Sequence, residues 1–284
     1  MNKQEVWDMI QRAEQMKHPL RHYPHKTIVH YGDITHSQSI LGFKAASIKL
    51  GCRTLTADAT ESLEDSVHTL QYYGDVLVMC HNRPDAISRA LTVSQIPVIQ
   101  GGIYSNTSQA LTDLYTLFKE LRFRGIQLDS EKRDTLQVTF LGYSRTVNPF
   151  VKLLDLFPKI EYHYTQKEIP SNTDVLYVSC QQGPEEYCID RAFLKTTKPT
   201  LILMHPFPRK DELSMDADTN PRSVYFHQIE NGHYMRMAIL DKVLSVSCSP
   251  TFCEWWWIIG YAMMHYISNI SSIFSRCPVD NSGV

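Results

Sequence analysis

Asp75-Val76-Leu77-Val78-Met79 is a short apolar run, followed by a polar break, a helical stretch from Asp85 to Ser94, and a second run, Pro97-Val98-Ile99. An apolar strand, then a helix, then another apolar strand is the repeating unit of a parallel sheet with both faces covered. Outward from this stretch the alternation continues. Thr27 to Val29 reads as a strand, and Val6 to Met16, Ser62 to Tyr73 and Ser108 to Leu121 read as helices. Ser62 and Asp85 are residue types that cap helix starts. The polar stretch Arg124 to Asp134 interrupts the pattern. A second series begins at Leu136-Gln137-Val138-Thr139-Phe140-Leu141-Gly142, with strands near Ile160, from Asp174 to Ser179 and from Thr200 to Met204, and closes on a helix from Asn231 to Val246. The expected fold is α/β, with two domains of parallel sheets covered by helices and a boundary near residue 130. The final helix is long enough to pack back across that boundary.

The 284 residues include 43% apolar and 20% charged positions, which excludes whole-chain disorder. Lys and Arg total 28 against 30 Asp and Glu, and no basic run stands out, so nucleic acid is not an expected partner. Cys52, Cys80, Cys180, Cys188, Cys248, Cys253 and Cys277 are scattered and form no CxxC pair, which points to a reducing compartment. The opening Met1-Asn2-Lys3-Gln4-Glu5-Val6 lacks the order of a signal peptide, and the cytoplasm is the expected location.

No phosphate-cradling GxGxxG or GxxxxGK[ST] is present. His18, His22, His25 and His30 are close in sequence, but Pro19 and Pro24 put most of them in a loop, and no metal is expected. The acidic pairs around Asp211-Glu212 and Asp216 read as solvated turns or salt bridges, and no cofactor is indicated. More informative is Met204-His205-Pro206-Phe207-Pro208-Arg209. Two prolines after a strand end its ladder and free carbonyls at its carboxyl end, where α/β sheets bind ligands.

From His205 through Asn220-Pro221-Arg222 to Glu230-Asn231-Gly232-His233-Tyr234-Met235-Arg236-Met237-Ala238, the order and spacing closely resemble the C-terminal part of aspartate carbamoyltransferases, especially the animal type. Upstream, Asp75 to His81 resembles the family's strand ending in Arg-His-Pro. Asn106-Thr107-Ser108-Gln109-Ala110-Leu111 resembles His-Pro-Thr-Gln-Ala-Leu, and Ser144-Arg145-Thr146-Val147 resembles Gly-Arg-Thr-Val. The resemblance covers about residues 3 to 245. It implies a carbamoyl-phosphate-type domain over 1–130, a trimmed aspartate-type domain over 131–246, and a homotrimer with clefts shared between subunits.

The resemblance also implies where ligands sit. Carbamoyl phosphate would meet Ser37, Gln38, Ser39, Cys80, Asn106, Gln109, Pro206 and the carbonyl of Phe207; an aspartate-like ligand would meet Arg145, Cys180 and Gln182. Several of these depart from the family pattern. Gln38 and Ile40 replace motif arginines, Cys80 and Cys180 replace two more, Asn106 replaces a histidine, and Ala57 to Ser62 carries no lysine. Losing about four cationic contacts at 1.5 to 3 kcal/mol each removes roughly 6 to 12 kcal/mol if they add. The expectation is therefore a catalytically impaired or inactive relative with a thiol-rich cleft. The alternative is an active enzyme making carbamoyl-aspartate for pyrimidine synthesis. The tail, 247–284, is rich in Trp. Its uncharged stretch 255–275 reads as a packing or partner-binding extension ahead of a membrane contact, and a membrane-associated interaction protein is the third reading.

Overall fold

A computed structural model describes residues 1–32, 38–58, 62–103, 107–126, 135–142, 147–166, 168–179 and 187–245. The apolar run that decides the fold is β3 (Val76–His81), which lies between β1 (Thr27–Gly32) and β4 (Val98–Ile103). All pairings are parallel, in the order β2-β1-β3-β4, with β2 (Arg53–Ala57) at the edge. Sequence periodicity passes over β2. Its residues, Arg-Thr-Leu-Thr-Ala, cover an exposed edge and have no apolar run to give them away. Periodicity also passes over α2 (Gln38–Lys49), where the exposed Leu41 and Ile48 blur its amphipathic pattern.

The first half is completed by α1 (Lys3–Gln15), α3 (Leu63–Leu70), α4 (Ala86–Val93) and α5 (Thr107–Phe123). Local chemistry sets several of their starts. Asn2 and Glu5 form a capping box at α1, and the Ser62 hydroxyl accepts the Asp65 N–H at 3.2 Å. Asp85 precedes α4 without capping it, because its carboxylate is bound to Arg83 at 3.1 and 3.0 Å. α3 and α4 cover one face of the sheet through Leu63, Val67, Ala86 and Ile87 against Val29, Tyr31, Leu77 and Met79.

The second sheet runs β6-β5-β7-β8, again all parallel: β5 (Leu136–Leu141), β6 (Ile160–Thr165), β7 (Val175–Val178) and β8 (Ile202–Met204). α6 (Val147–Leu154) and α7 (Arg191–Thr196) cover it. β6 reaches β7 through 166–174 with no helix among the described residues, a short return for a parallel crossover. The boundary expected near residue 130 falls within 127–134, outside the described residues.

α8 (Tyr225–Leu244) begins earlier than the apolar spacing predicts, because its first turns carry Phe226, Gln228 and Glu230 rather than a clean apolar stripe. It follows the second sheet in sequence yet packs on α1, α2 and α5 of the first half. Its far end is held by Asp241, which accepts from Arg12 and, at 2.6 Å, from the Tyr23 hydroxyl. One continuous core results. Phe43, Leu114, Met235 and Leu240 belong to the same cluster as Phe140, Phe150 and Tyr177 of the second sheet. No described helix is long and apolar enough to cross a membrane, and the stretch 255–275 lies outside the described residues.

Candidate functional site

Parallel sheets bind ligands at the carboxyl ends of their strands, and here the loop after β8 is tied by hydrogen bonds to α5, the helix that follows β4, so the two walls of a candidate cleft are the ends of the two sheets. On the first wall, β1 ends at Gly32 with φ +123°, a conformation that favours glycine, and a Cβ there would collide with the Cys80 carbonyl of β3. Cys80 is fully buried. Gln38 and Ser39 open α2, which packs against β3, and Gln109 lies in the first turn of α5, which follows and packs against β4. Helix amino ends present unpaired N–H groups and partial positive charge.

On the second wall, β8 runs into His205-Pro206-Phe207-Pro208, whose Phe207–Pro208 bond is cis. The loop is held from several sides. The His205 N–H donates to Gln228 Oε1 at 2.8 Å, and His205 Nε2 lies 2.9 Å from Glu212 Oε1. Burial pushes the His205 imidazole below its ordinary range, against the pull of Glu212, so a neutral ring with its proton assigned to Nε2 fits this contact. Glu212 also accepts the Lys210 N–H at 3.0 Å; these contacts outweigh its burial and hold its carboxyl below the ordinary value. Arg209 grips Asp218, which accepts from the Tyr225 hydroxyl at 2.6 Å. The Phe207 ring stacks on Phe226 at 5.7 Å.

Asp113 joins the two walls. It is fully buried on α5 and accepts from Gln109 Nε2 at 2.7 Å, from Gln228 Nε2 at 2.9 Å and from the Tyr177 hydroxyl at 2.7 Å. Its carboxyl is pushed up to about 6, because burial outweighs the three donors. A hydrogen-bonded path therefore runs Gln109–Asp113–Gln228–His205, from the amino end of α5 to the loop carrying Pro206 and Phe207. Sequence reasoning gave no role to Asp113, Gln228 or Arg236. The visible signal was the i, i+4 spacing of Gln109 and Asp113 on one helix face.

Of the residues expected to line the site, Gln109, Pro206 and Phe207 are linked through this path, and Gln38, Ser39 and Cys80 lie on the opposing wall. Ser37, Asn106, Arg145, Cys180 and Gln182 lie outside the described residues. Lys44 and Arg53 are basic residues that follow the substituted α2 motif in sequence. Arg53 starts β2, at the strand's amino end and away from the cleft, while Lys44 faces His30. His30 does not belong to the loop of the other clustered histidines. It lies in β1, fully buried, with neither ring nitrogen bonded. No group of three His, Cys, Asp or Glu side chains gathers to hold a metal among the described residues.

Two four-stranded parallel sheets covered by helices have the architecture of the aspartate/ornithine carbamoyltransferase fold. The family model of the aspartate/ornithine carbamoyltransferase carbamoyl-P binding domain matches residues 1–119, and that of the Asp/Orn binding domain matches residues 158–243. The chain belongs to the aspartate/ornithine carbamoyltransferase family. It is 30% identical over 250 residues to the aspartate carbamoyltransferase catalytic subunit of Korarchaeum cryptofilum, covering 71% of this chain and 81% of that one. It is 29% identical over 258 residues to the chloroplastic aspartate carbamoyltransferase of Arabidopsis thaliana, covering 72% of this chain and 64% of the plant protein, just under two thirds of its length. Aspartate transcarbamoylase from Trypanosoma cruzi, solved with carbamoyl phosphate and aspartate, superposes with a TM-score of 0.73 at 28% identity, covering 86% of this chain and 93% of that one.

Proposed function

We propose that this chain is an aspartate carbamoyltransferase. In the cleft, the amine of aspartate attacks the carbamoyl carbon of carbamoyl phosphate, phosphate leaves, and carbamoyl-aspartate passes to pyrimidine synthesis. The observation that carries this reading is the buried path from Gln109 through Asp113 and Gln228 to His205. It ties an amide side chain of one wall to the loop of the other that carries Pro206 and Phe207, whose amide and carbonyl groups are suited to orient a carbamoyl group. The ligands of the Trypanosoma relative support the same pair of substrates. The domain limits follow: carbamoyl phosphate on 1–130 and aspartate on 131–246, with Arg145 and Gln182 as the aspartate-side contacts.

A homotrimer belongs to the same reading. Leu41, Ala45 and Ile48 form an exposed stripe at helical spacing on α2, beside the edge strand β2 with its exposed Leu55. Covering such a stripe with a neighbouring subunit removes apolar surface from water at about 25 cal/mol per Å².

A second reading keeps the cleft as a binding site with turnover impaired or lost. Cys80 favours it, a buried thiol at the end of β3 where the family resemblance places an arginine. One pair of measurements separates the two: formation of carbamoyl-aspartate from carbamoyl phosphate and aspartate, and calorimetric titration with N-phosphonacetyl-aspartate. Product formation is the expected result. Tight binding without product transfers support to the second reading. A folded chain that gives neither product nor heat at millimolar ligand overturns both.

A further inference from the structure

Arg236 projects from α8 into the seam between α2 and α5. Its Nε is buried and has no hydrogen-bond partner, in a side chain that is partly exposed overall. The group lies over the Phe43 ring, 5.8 Å from the centroid. Two glycines make room for it: a Cβ at Gly42 would stand 2.9 Å from Nε, and one at Gly232 would stand 2.7 Å from Nη1. Among the described residues the carboxylate that acts on it is Asp113, whose oxygens are taken by Gln109, Gln228 and Tyr177.

A buried guanidinium nitrogen with an unused donor is costly, and an anion that approaches the group offsets that cost. Its position fits that account. Gly42 lies in the second turn of α2 and Thr112, which also borders Gly232, in the second turn of α5, so the guanidinium sits about a turn below two helix amino ends. Cys80, at the carboxyl end of β3, lies within its electrostatic reach. Helix N–H groups from above and a cation from below make an anion site without a glycine-rich loop.

We propose that Arg236 reads the ligand's phosphate group in this cleft, supplying from α8 the charge that Gln38, Ile40 and Cys80 do not. This deepens the function proposed above and rests on it. The guanidinium offers a two-pronged contact to phosphate oxygens, while Gln109 and the Phe207 carbonyl serve the carbamoyl end.

The test uses the full chain, with inorganic phosphate and N-phosphonacetyl-aspartate as probes in calorimetry and thermal unfolding. Arg236→Met is expected to bind both probes about 10- to 100-fold more weakly, the range for one charged hydrogen-bonding group. Arg236→Lys should fall between it and the parent. Without ligand, Arg236→Met should melt at or above the parent temperature, because it removes a partly buried charge whose Nε has no partner. A merely structural arginine would lower the melting temperature and leave affinity unchanged. Gly42→Ala pushes a methyl group into the guanidinium without altering charge, so it should weaken phosphate several-fold in a folded chain, and it decides the matter if Arg236→Met does not fold. Affinities within twofold of the parent for these variants overturn the assignment and leave the proposed function standing. A parent chain that binds neither probe overturns both.

Discussion

The two walls of the cleft treat their polar atoms differently. The second wall is closed on itself: His205, Glu212, Arg209, Asp218 and Tyr225 hold one another. Among the described residues, His30 Nδ1 and Nε2, the Tyr31 hydroxyl and Arg236 Nε are buried without partners around the first wall, against His205 Nδ1 on the second. Buried polar atoms in folded proteins are almost all satisfied, so this concentration marks where stability has been given up. The second wall is a rigid frame. The first is the half that a ligand completes.

The largest effect that would break this contrast lies at the joint. Asp113→Ala strands the Gln109, Gln228 and Tyr177 donors and should cost about 3 to 5 kcal/mol in urea unfolding, comparable with breaking a buried charged network. A loss below about 1 kcal/mol would mean the walls are not coupled there. Glu212→Ala, within the frame, should cost about 2 kcal/mol, because His205 Nε2 and the Lys210 N–H lose a buried acceptor.

On the first wall the sign reverses. His30→Leu removes an imidazole with no partner and should stabilise the chain by about 1 to 2 kcal/mol near pH 7.5. The gain should grow toward pH 5. Burial, with Lys44 nearby, pushes His30 down from 6.5 to about 4, so between these values the unfolded chain binds a proton that the native ring refuses, and the parent loses stability as pH falls. Asp113 acts the other way. Its rise from 3.8 to about 6 means the unfolded carboxyl ionises first, so its contribution falls as pH rises through that window. Urea midpoints of His30→Leu and Asp113→Asn at pH 5 and 7.5 should diverge in opposite directions from the parent. A His30→Leu gain that does not depend on pH would remove the histidine from this account. Ser62→Ala should cost about 1 kcal/mol in urea unfolding through its lost cap on α3.

Much of the architecture was legible because buried parallel strands must be apolar on both faces, as Val76 to Met79 and Val175 to Val178 are. The edge strand β2 was not, since exposure leaves no apolar signature at Arg53, Thr54 and Thr56. The loop at His205 was legible from its prolines. Asp113, Gln228 and Arg236 gained their roles only once α5 and α8 were seen side by side. Their partners lie far apart in the chain, and a polar residue in the middle of a helix reads as solvent-facing until something covers it.

Helix α8 carries one more consequence, for the order in which the protein is made. Met235, Met237, Ile239 and Leu240 fill the core that Val6, Met9 and Phe43 begin, so the earliest helices wait uncovered through translation until residues 225–244 leave the ribosome. The first half is thus an obligate late folder despite being synthesised first. Nascent chains halted before Tyr225 should present an open apolar face to chaperones.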